Sequence, residues 1–164
     1  MFATAIAEGL SELDPAFADM YRENLLSYVA QLAELDEQFR EVVASSPRNT
    51  LLFGDRFPFR YFVEDYGLNY YAAFPGCHAE AEASFSTIIF LAGKIDELNL
   101  HTVVVTESAN LSIAETIIRN TTSANQEIVV LDSMQSTTSY DFREGITYLS
   151  IMQANLEALR QILS

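Results

Sequence analysis

A short apolar run that ends in a glycine and a charged pair constrains the fold of this chain more than any other feature. Residues 50–53 read Thr-Leu-Leu-Phe, and a glycine, Asp55 and Arg56 follow. This order predicts a buried β-strand that stops at the glycine and a helix over residues 58–66 with proline in its first turn. In open α/β sheets, ligands bind beside the carboxyl ends of the strands. We therefore expect Asp55 and Arg56 to lie near whatever this protein recognises.

The same alternation of apolar runs and helical segments continues to the end of the chain. Further strands are predicted over residues 70–74, 102–105 and 128–131, and further helices over residues 84–98, 111–119 and from residue 142 or 145 to 162. Ser84 is expected to cap the first of these helices. Short continuous apolar strands separated by helices are typical of a parallel sheet that is covered on both faces. With right-handed crossovers, the sequence predicts a three-layer α/β/α domain with a four-stranded parallel sheet.

The chain is helical before its first strand. Apolar residues recur at helical spacing from Ala16 to about Val43, which predicts one long amphipathic helix of ~40 Å. A shorter helix is expected over residues 4–10. Since no linker or repeat divides the sequence, we expect one structural domain. It consists of a helical segment with a long N-terminal backbone helix over residues 1–47 and an α/β lobe over residues 48–164.

Length and charge narrow the classes of function. The 164 residues are enough for one domain with its own core, and the formal net charge is −14. An acidic chain is a poor binder of nucleic acid or of an anionic membrane surface, because both require Lys and Arg. The apolar runs are shorter than a membrane span, and residues 1–10 lack the features of a secretory signal. A single cysteine excludes an internal disulfide.

Polar residues that follow the predicted strands form the candidate functional site. Because parallel strands end at the same edge of a sheet, residues in the loops after them should lie close together. These loops carry carboxylate, thiol and imidazole groups that bind transition metals, together with an amide and a guanidinium group. The candidates are Asp55, Arg56, Cys77, His78, Glu107 and Gln135. His101 is expected at the opposite edge, where the third strand begins.

Several roles are open for these residues. Cys77 and His78 are both metal ligands by type, but one such pair is at most half a site. Cys77 could instead act as a nucleophile in a small α/β enzyme, although it would need a base and an orienting group, and His78 is too close in sequence. Glu107 could bind a cation or pair with Arg56. No glycine-rich phosphate loop, G-x-S-x-G elbow or H-E-x-x-H motif is present in the sequence.

The order of several motifs resembles a known family of binding proteins. The resemblance covers nearly the whole chain. It rests on the long helix with its Leu13-Asp14-Pro15 start, on Phe59-Arg60-Tyr61-Phe62 through Tyr66-Gly67-Leu68, on Glu80-Ala81-Glu82-Ala83-Ser84, on the strand before Glu107, and on Tyr148 to Leu156. In this order and spacing, the motifs are similar to those in the C-terminal half of the solute-binding proteins of zinc and manganese ABC transporters, the metal-binding lipoprotein or cluster A-I family.

The resemblance implies a metal cargo and an unusual set of ligands. In that family the N-terminal lobe supplies two histidines, and the C-terminal lobe supplies a histidine or glutamate and then an aspartate or glutamate. Counting from the aromatic motif, the third ligand position falls on Arg56 and the fourth near Gln135. Arginine keeps its proton and cannot coordinate a metal, and glutamine is a weak neutral ligand. The family therefore implies Zn²⁺ or Mn²⁺ in the full-length protein, with weak or no metal binding by these 164 residues alone.

The same resemblance implies partners and a location. The partners are an N-terminal metal-binding lobe, which these residues lack, and the permease of an ABC importer. The full-length protein would be extracytoplasmic, as a cell-surface lipoprotein or a periplasmic protein, and would catalyse no reaction. An interaction module that forms a homodimer through an exposed lobe face stays open as an alternative, since an uncovered apolar face favours self-association.

Overall fold

The computed structural model describes residues 2–74 and 83–164 of the chain. By its internal contacts the chain divides into two compact units, Met1–Gln38 and Phe39–Ser164, and the division falls inside the second helix. The helices are α1 Phe2–Leu13, α2 Ala18–Ser45, α3 Arg60–Tyr66, α4 Phe85–Leu98, α5 Ser112–Arg119, α6 Ser139–Arg143 and α7 Tyr148–Leu163. The strands are β1 Thr50–Arg56, β2 Asn69–Phe74, β3 Thr102–Thr106 and β4 Glu127–Leu131. The predicted boundary between residues 47 and 48 stays a prediction.

The first unit contains α1 and the start of the long helix. The long helix predicted from Ala16 is present as α2, but it begins at Ala18 because Pro15–Phe17 forms a 3-10 turn with proline at its first position. The first helix is longer than the predicted residues 4–10. A groove with a volume of about 400 Å³ lies in this unit. It is lined mainly by apolar and tyrosine side chains from both helices, namely Ala3, Ile6, Ala7, Leu10, Tyr21, Asn24, Leu25 and Tyr28.

The second unit contains the predicted four-stranded parallel sheet, with the strand order β2-β1-β3-β4. One face packs on α4 and α5, where Leu52 and Val103 join a cluster of buried side chains that includes Leu91, Ile95 and Ile117. Successive strand residues point to opposite faces, and α7 packs against β4, β1 and β3. The three-layer α/β/α arrangement predicted from the sequence is therefore confirmed.

Strand β1 is longer than predicted. We expected it to stop at Phe53, but it runs to Arg56, so Gly54 and Asp55 lie inside the strand. The glycine is required by packing and not by a turn, because a Cβ atom at Gly54 would lie 2.8 Å from Ala114 of helix α5. Helix α5 therefore approaches the strand closely. The pairing of β1 with β2 shifts register between Phe53 and Arg56.

The last predicted helix is interrupted. The segment expected from residue 142 or 145 to 162 forms α6 and α7, separated by Gly145, whose φ of 79° ends the first of them. Each helix has a capping box, formed by Thr138 with Asp141 and by Thr147 with Ser150. Ser84 caps α4 as predicted, and its hydroxyl accepts a hydrogen bond from the amide of Thr87.

No helix among the described residues has the length and apolar character that crossing a membrane requires.

Candidate ligand site at the carboxyl edge of the sheet

The ends of β1, β3 and β4 form the carboxyl edge of the sheet. Asp55 and Arg56 close β1, Glu107 follows β3, and the loop of residues 132–136 follows β4. Because the strands are parallel, the structure brings these groups to one edge of the sheet. Gln135 lies exposed in the last of these loops. Cys77 and His78 lie outside the described residues.

Asp55 ties two strands together. Its carboxylate is buried, and its Oδ2 atom accepts hydrogen bonds from the backbone amide and the hydroxyl of Thr106, at 3.1 and 2.5 Å. Thr106 is the last residue of β3, so the bonds join the ends of two neighbouring strands. Buried carboxylates require such donors, because an unpaired charge in the interior is strongly unfavourable. Asp55 therefore has a structural role in addition to any contact with a ligand.

Glu107 fixes the loop that follows β4. Its two oxygens accept hydrogen bonds from the amide and hydroxyl of Ser133 and from the amide and hydroxyl of Ser136, at distances of 2.8 to 3.2 Å. Partial burial acts to raise the pKa of Glu107, but the bonds from the two serines outweigh it and lower the pKa to about 2. Glu107 makes no ion pair with Arg56 among the described residues, so that alternative is not the arrangement seen.

Arg56 keeps most of its donors available. Its Nη2 atom donates to the hydroxyl of Ser108 at 2.9 Å, and its Nε atom is buried without a hydrogen-bond partner in the described part of the chain. A guanidinium group has five N–H donors and no acceptor. The carboxyl edge therefore presents a positive charge at the end of β1.

Asp132 was not among the predicted site residues, although it is the first residue after β4. Its backbone amide and carbonyl bond the side chain of Asn155, at 2.8 and 2.9 Å, and Asn155 is buried on α7. Its Oδ1 atom accepts from the amide of Met134 at 2.7 Å. Within residues 2–74 and 83–164, no hydrogen bond occupies Oδ2. The sequence signal that marks Asp132 is its place directly after an apolar strand.

Two cavities meet at Asp132. One, of about 210 Å³, is largely aromatic and apolar, and the other, of about 240 Å³, is polar. The first is lined by Pro58, Phe59, Tyr61, Phe62, Leu131, Asp132, Ser133, Met134, Tyr148, Met152 and Asn155. The second is lined by Glu107, Asp132, Ser136, Thr137, Asp141, Ile146 and Ile151. Asp132 therefore places a carboxylate oxygen between an apolar and a polar recess.

The described residues alone do not assemble a complete metal centre. Among them, no group of three or more His, Cys, Asp and Glu side chains lies close enough to hold a metal ion. Tight zinc sites use about four ligands. The edge therefore supplies at most part of a coordination shell from the residues that the structure describes.

The family model and two sequence relatives that match this chain all describe zinc-uptake or zinc-binding proteins. The family model described as "Zinc-uptake complex component A periplasmic" (ZnuA) matches residues 1–162. The zinc-binding protein AdcA of Streptococcus pyogenes serotype M6 is 26% identical over 155 residues, which are 94% of this chain and 29% of that protein. The high-affinity zinc uptake system protein ZnuA of Bacillus subtilis is 24% identical over 150 residues, which are 92% of this chain and 46% of that protein.

Solved structures share the fold. The metal-dependent lipoprotein YcdH of Bacillus subtilis superposes with a TM-score of 0.79 at 23% sequence identity, covering 97% of this chain and 58% of that one. The laminin-binding protein Lmb of Streptococcus agalactiae has a TM-score of 0.77 at 24% identity, covering 97% and 58%. The chain thus spans less than half of the length of the two sequence relatives and little more than half of the two solved chains.

Proposed function

The chain belongs to the family of periplasmic zinc-uptake components, and on this premise we propose that it is one lobe of a solute-binding protein that captures a divalent metal ion. The lobe is the C-terminal one, the cargo is Zn²⁺ or Mn²⁺, and the receiving partner is the permease of an ABC importer. The observation that carries the proposal is the convergence of polar groups from β1, β3 and β4 at the carboxyl edge of the sheet. Such an edge is where open α/β domains bind ligands.

The carboxylates differ in what they can offer a metal ion. Asp132 has an oxygen without a hydrogen bond in the described part of the chain, and Asp55 uses one oxygen for Thr106. Both oxygens of Glu107 are occupied by serine donors, so it would act mainly by holding the loop of Asp132. Cys77 and His78 stay proposed ligands, as sulfur and imidazole suit zinc.

In the family resemblance Arg56 falls at one ligand position and Gln135 near another, but the two cannot complete a metal site by themselves. The remaining ligands would come from a second lobe, which in the family resemblance carries two histidines. We therefore propose an N-terminal lobe as the partner of this one. The full-length protein would act outside the cytoplasm, as a lipoprotein or a periplasmic protein, and would not catalyse a reaction.

Self-association is a second proposal that one observation supports. Helix α4 exposes Phe85, Ile89 and Phe90, and uncovered apolar side chains of this size favour contact with another protein surface. A homodimer would hide this face. The enzyme alternative gains no support from the described residues, because Cys77 lies outside them.

Titration of the 164-residue chain with Zn²⁺ tests the proposed function. We expect a weak site, with a dissociation constant above about 1 μM, because the chain supplies fewer than four ligands. The variant Asp132→Asn should weaken it about tenfold by removing the open carboxylate. Asp65→Asn removes the same charge from an exposed position on α3 and is the matched control.

Two results would contradict the proposal. One is a tight, stoichiometric zinc site in the 164-residue chain, since the ligands would then be complete without a second lobe. The other is equal zinc binding by Asp132→Asn and Asp65→Asn, because the metal would then bind away from the carboxyl edge.

A further inference from the structure

The side chain of Arg56 makes few hydrogen bonds in the described part of the chain. Among the residues that the structure describes, the buried Nε atom has no partner and only Nη2 donates, to the neutral hydroxyl of Ser108. A buried donor without an acceptor is unfavourable by about 1–3 kcal/mol, and more when it carries charge. Natural structures retain such groups mainly where an acceptor arrives from elsewhere or where the group has a function.

The neighbouring acids do not neutralise Arg56. Asp55 bonds Thr106, and Glu107 bonds Ser133 and Ser136. No ion pair joins Arg56 to any carboxylate among the residues that the structure describes. The carboxyl edge therefore combines two carboxylates that are held by hydroxyl and amide donors with one guanidinium that has donors to spare.

Other arginines of the chain have carboxylate partners. Arg22, Arg60, Arg119 and Arg160 each lie within 4 Å of an acid on the same helix, at N···O distances of 2.6 to 3.9 Å. These pairs are exposed and contribute little to stability. Arg56 is better shielded from solvent than they are, and a shielded guanidinium gains more from a carboxylate partner.

We propose that Arg56 binds a carboxylate of the cargo, so that this lobe accepts its metal ion as a complex with a small carboxylic acid. The inference rests on the proposed function and names the form of its cargo. The end of the guanidinium formed by Nη1 and Nη2 matches the two oxygens of a carboxylate. Nη2 has a second hydrogen beside the one given to Ser108, and Nη1 makes no hydrogen bond to the residues that the structure describes. Asp132 would then contact the metal ion.

The charge of the chain is compatible with this form of the cargo. A net charge of −14 repels a free multivalent anion, but a metal–carboxylate complex has little or no negative charge. Arg56 would otherwise repel a bare divalent cation at the same edge. The complex satisfies both groups at once, with its carboxylate on the guanidinium and its metal ion on the aspartate.

The test is titration of the 164-residue chain with zinc citrate, with citrate alone and with Zn²⁺ alone. We expect zinc citrate to bind more tightly than either component. Arg56→Gln should weaken binding of zinc citrate about tenfold or more and leave binding of Zn²⁺ alone unchanged or stronger. Arg60→Gln is the matched control, because Arg60 is exposed and paired with Glu64, and it should change binding less than about twofold.

Two further arms separate the interpretations. Arg56→Lys keeps the charge but loses the planar pair of donors, and we expect it to weaken zinc citrate binding severalfold. The double variant Glu80→Gln/Glu82→Gln tests whether the carboxylate partner of Arg56 is a side chain of this protein and not part of the cargo. If this variant gains binding of citrate alone, Arg56 is neutralised internally and the inference is overturned.

The outcomes distinguish this inference from the function on which it rests. Equal binding of zinc citrate by the Arg56→Gln and Arg60→Gln variants overturns the inference and leaves the proposed metal site intact if Zn²⁺ still binds through Asp132. Equal displacement of zinc citrate by inorganic phosphate also overturns it, since the site would then accept any oxyanion. If neither Zn²⁺ nor zinc citrate binds, the proposed function itself fails.

Discussion

Two arginines flank strand β1, and their surroundings differ. Arg48 lies before the strand, where Nε donates to the carbonyl of Asn99 at 3.1 Å, Nη1 donates to the carbonyl of Ser164, and Nη2 lies 2.6 Å from Nε2 of His101. Arg56 ends the strand and, within residues 2–74 and 83–164, donates only to Ser108. Each side-chain nitrogen of Arg48 thus has a partner, whereas Arg56 has one partner among the described residues.

The difference follows from the architecture of a parallel α/β sheet. At the amino edge, the turn after α4 and the end of α7 bring backbone carbonyls to Arg48. His101 lies at this edge as the sequence predicts, and its Nε2 accepts because arginine has only donors. The carboxyl edge is where open α/β sheets bind ligands, and there Arg56 donates only to Ser108 among the described residues. The contrast favours a stabilising role for Arg48, and ligand binding stays the proposed role of Arg56.

The largest expected effect is on the free energy of unfolding, which should fall when Arg48 is replaced and change little when Arg56 is replaced. Arg48→Gln should lower the free energy of unfolding by about 2 kcal/mol, because carbonyl acceptors at Asn99 and Ser164 lose a charged donor. Arg56→Gln should lower it by less than about 0.5 kcal/mol or raise it, since it removes a shielded charge with one neutral partner. Urea denaturation of the two variants and the parent chain measures both values. The contrast between the two arginines would be wrong if Arg56→Gln destabilised the chain more than Arg48→Gln.

Replacing Glu107, which holds the loop of Asp132, should have a smaller effect on the free energy of unfolding. Its pKa is lowered to about 2 in the folded chain, so its contribution is present above its ordinary pKa and is lost as the pH falls from about 5 to 2. After allowance for solvent screening, this contribution is about 1 kcal/mol. Urea denaturation should show that Glu107→Gln is less stable than the parent chain at pH 7 by this amount. The difference in stability should become small near pH 2.5.

The control for Glu107 is the exposed Glu115 on α5, whose pairing with Arg119 is long, at 3.9 Å. Glu115→Gln should shift stability by less than about 0.5 kcal/mol at either pH. If the difference in stability between Glu107→Gln and the parent persisted unchanged at low pH, the contacts with the serines would not depend on the charge of the Glu107 carboxylate. This result would contradict the role given to that charge at the carboxyl edge.

Much of the fold could be predicted from the sequence, because parallel strands and their helices leave a strong apolar pattern. The four strands, the long helix α2 and the Ser84 cap were expected and are present. The end of β1 was placed too early, since Gly54 was read as a stop. Its actual role, to let Ala114 approach, depends on a helix 60 residues away in sequence and leaves no local signal.

The site was predicted only in part for the same reason. The sequence indicates which residues lie at the carboxyl edge, and the structure places Asp55, Arg56 and Glu107 there. It does not indicate which of them are already occupied, because the donors at Thr106 and Ser133 come from other strands and loops. Gln135 is the predicted residue of the loop after β4, and not Asp132, because the family resemblance puts the fourth ligand position near Gln135. The metal ligands stay a proposal.

The most direct test of the contrast between the two edges is an NMR titration of the arginine Nε–H signals. Spectra of the chain, with assignments from the Arg48→Gln and Arg56→Gln variants, would be followed during addition of zinc citrate. The account predicts that the Arg56 signal moves with a saturable dependence on concentration while the Arg48 signal stays in place. A stationary Arg56 signal, or a shift of Arg48 instead, would contradict the assignment of the carboxyl edge to binding.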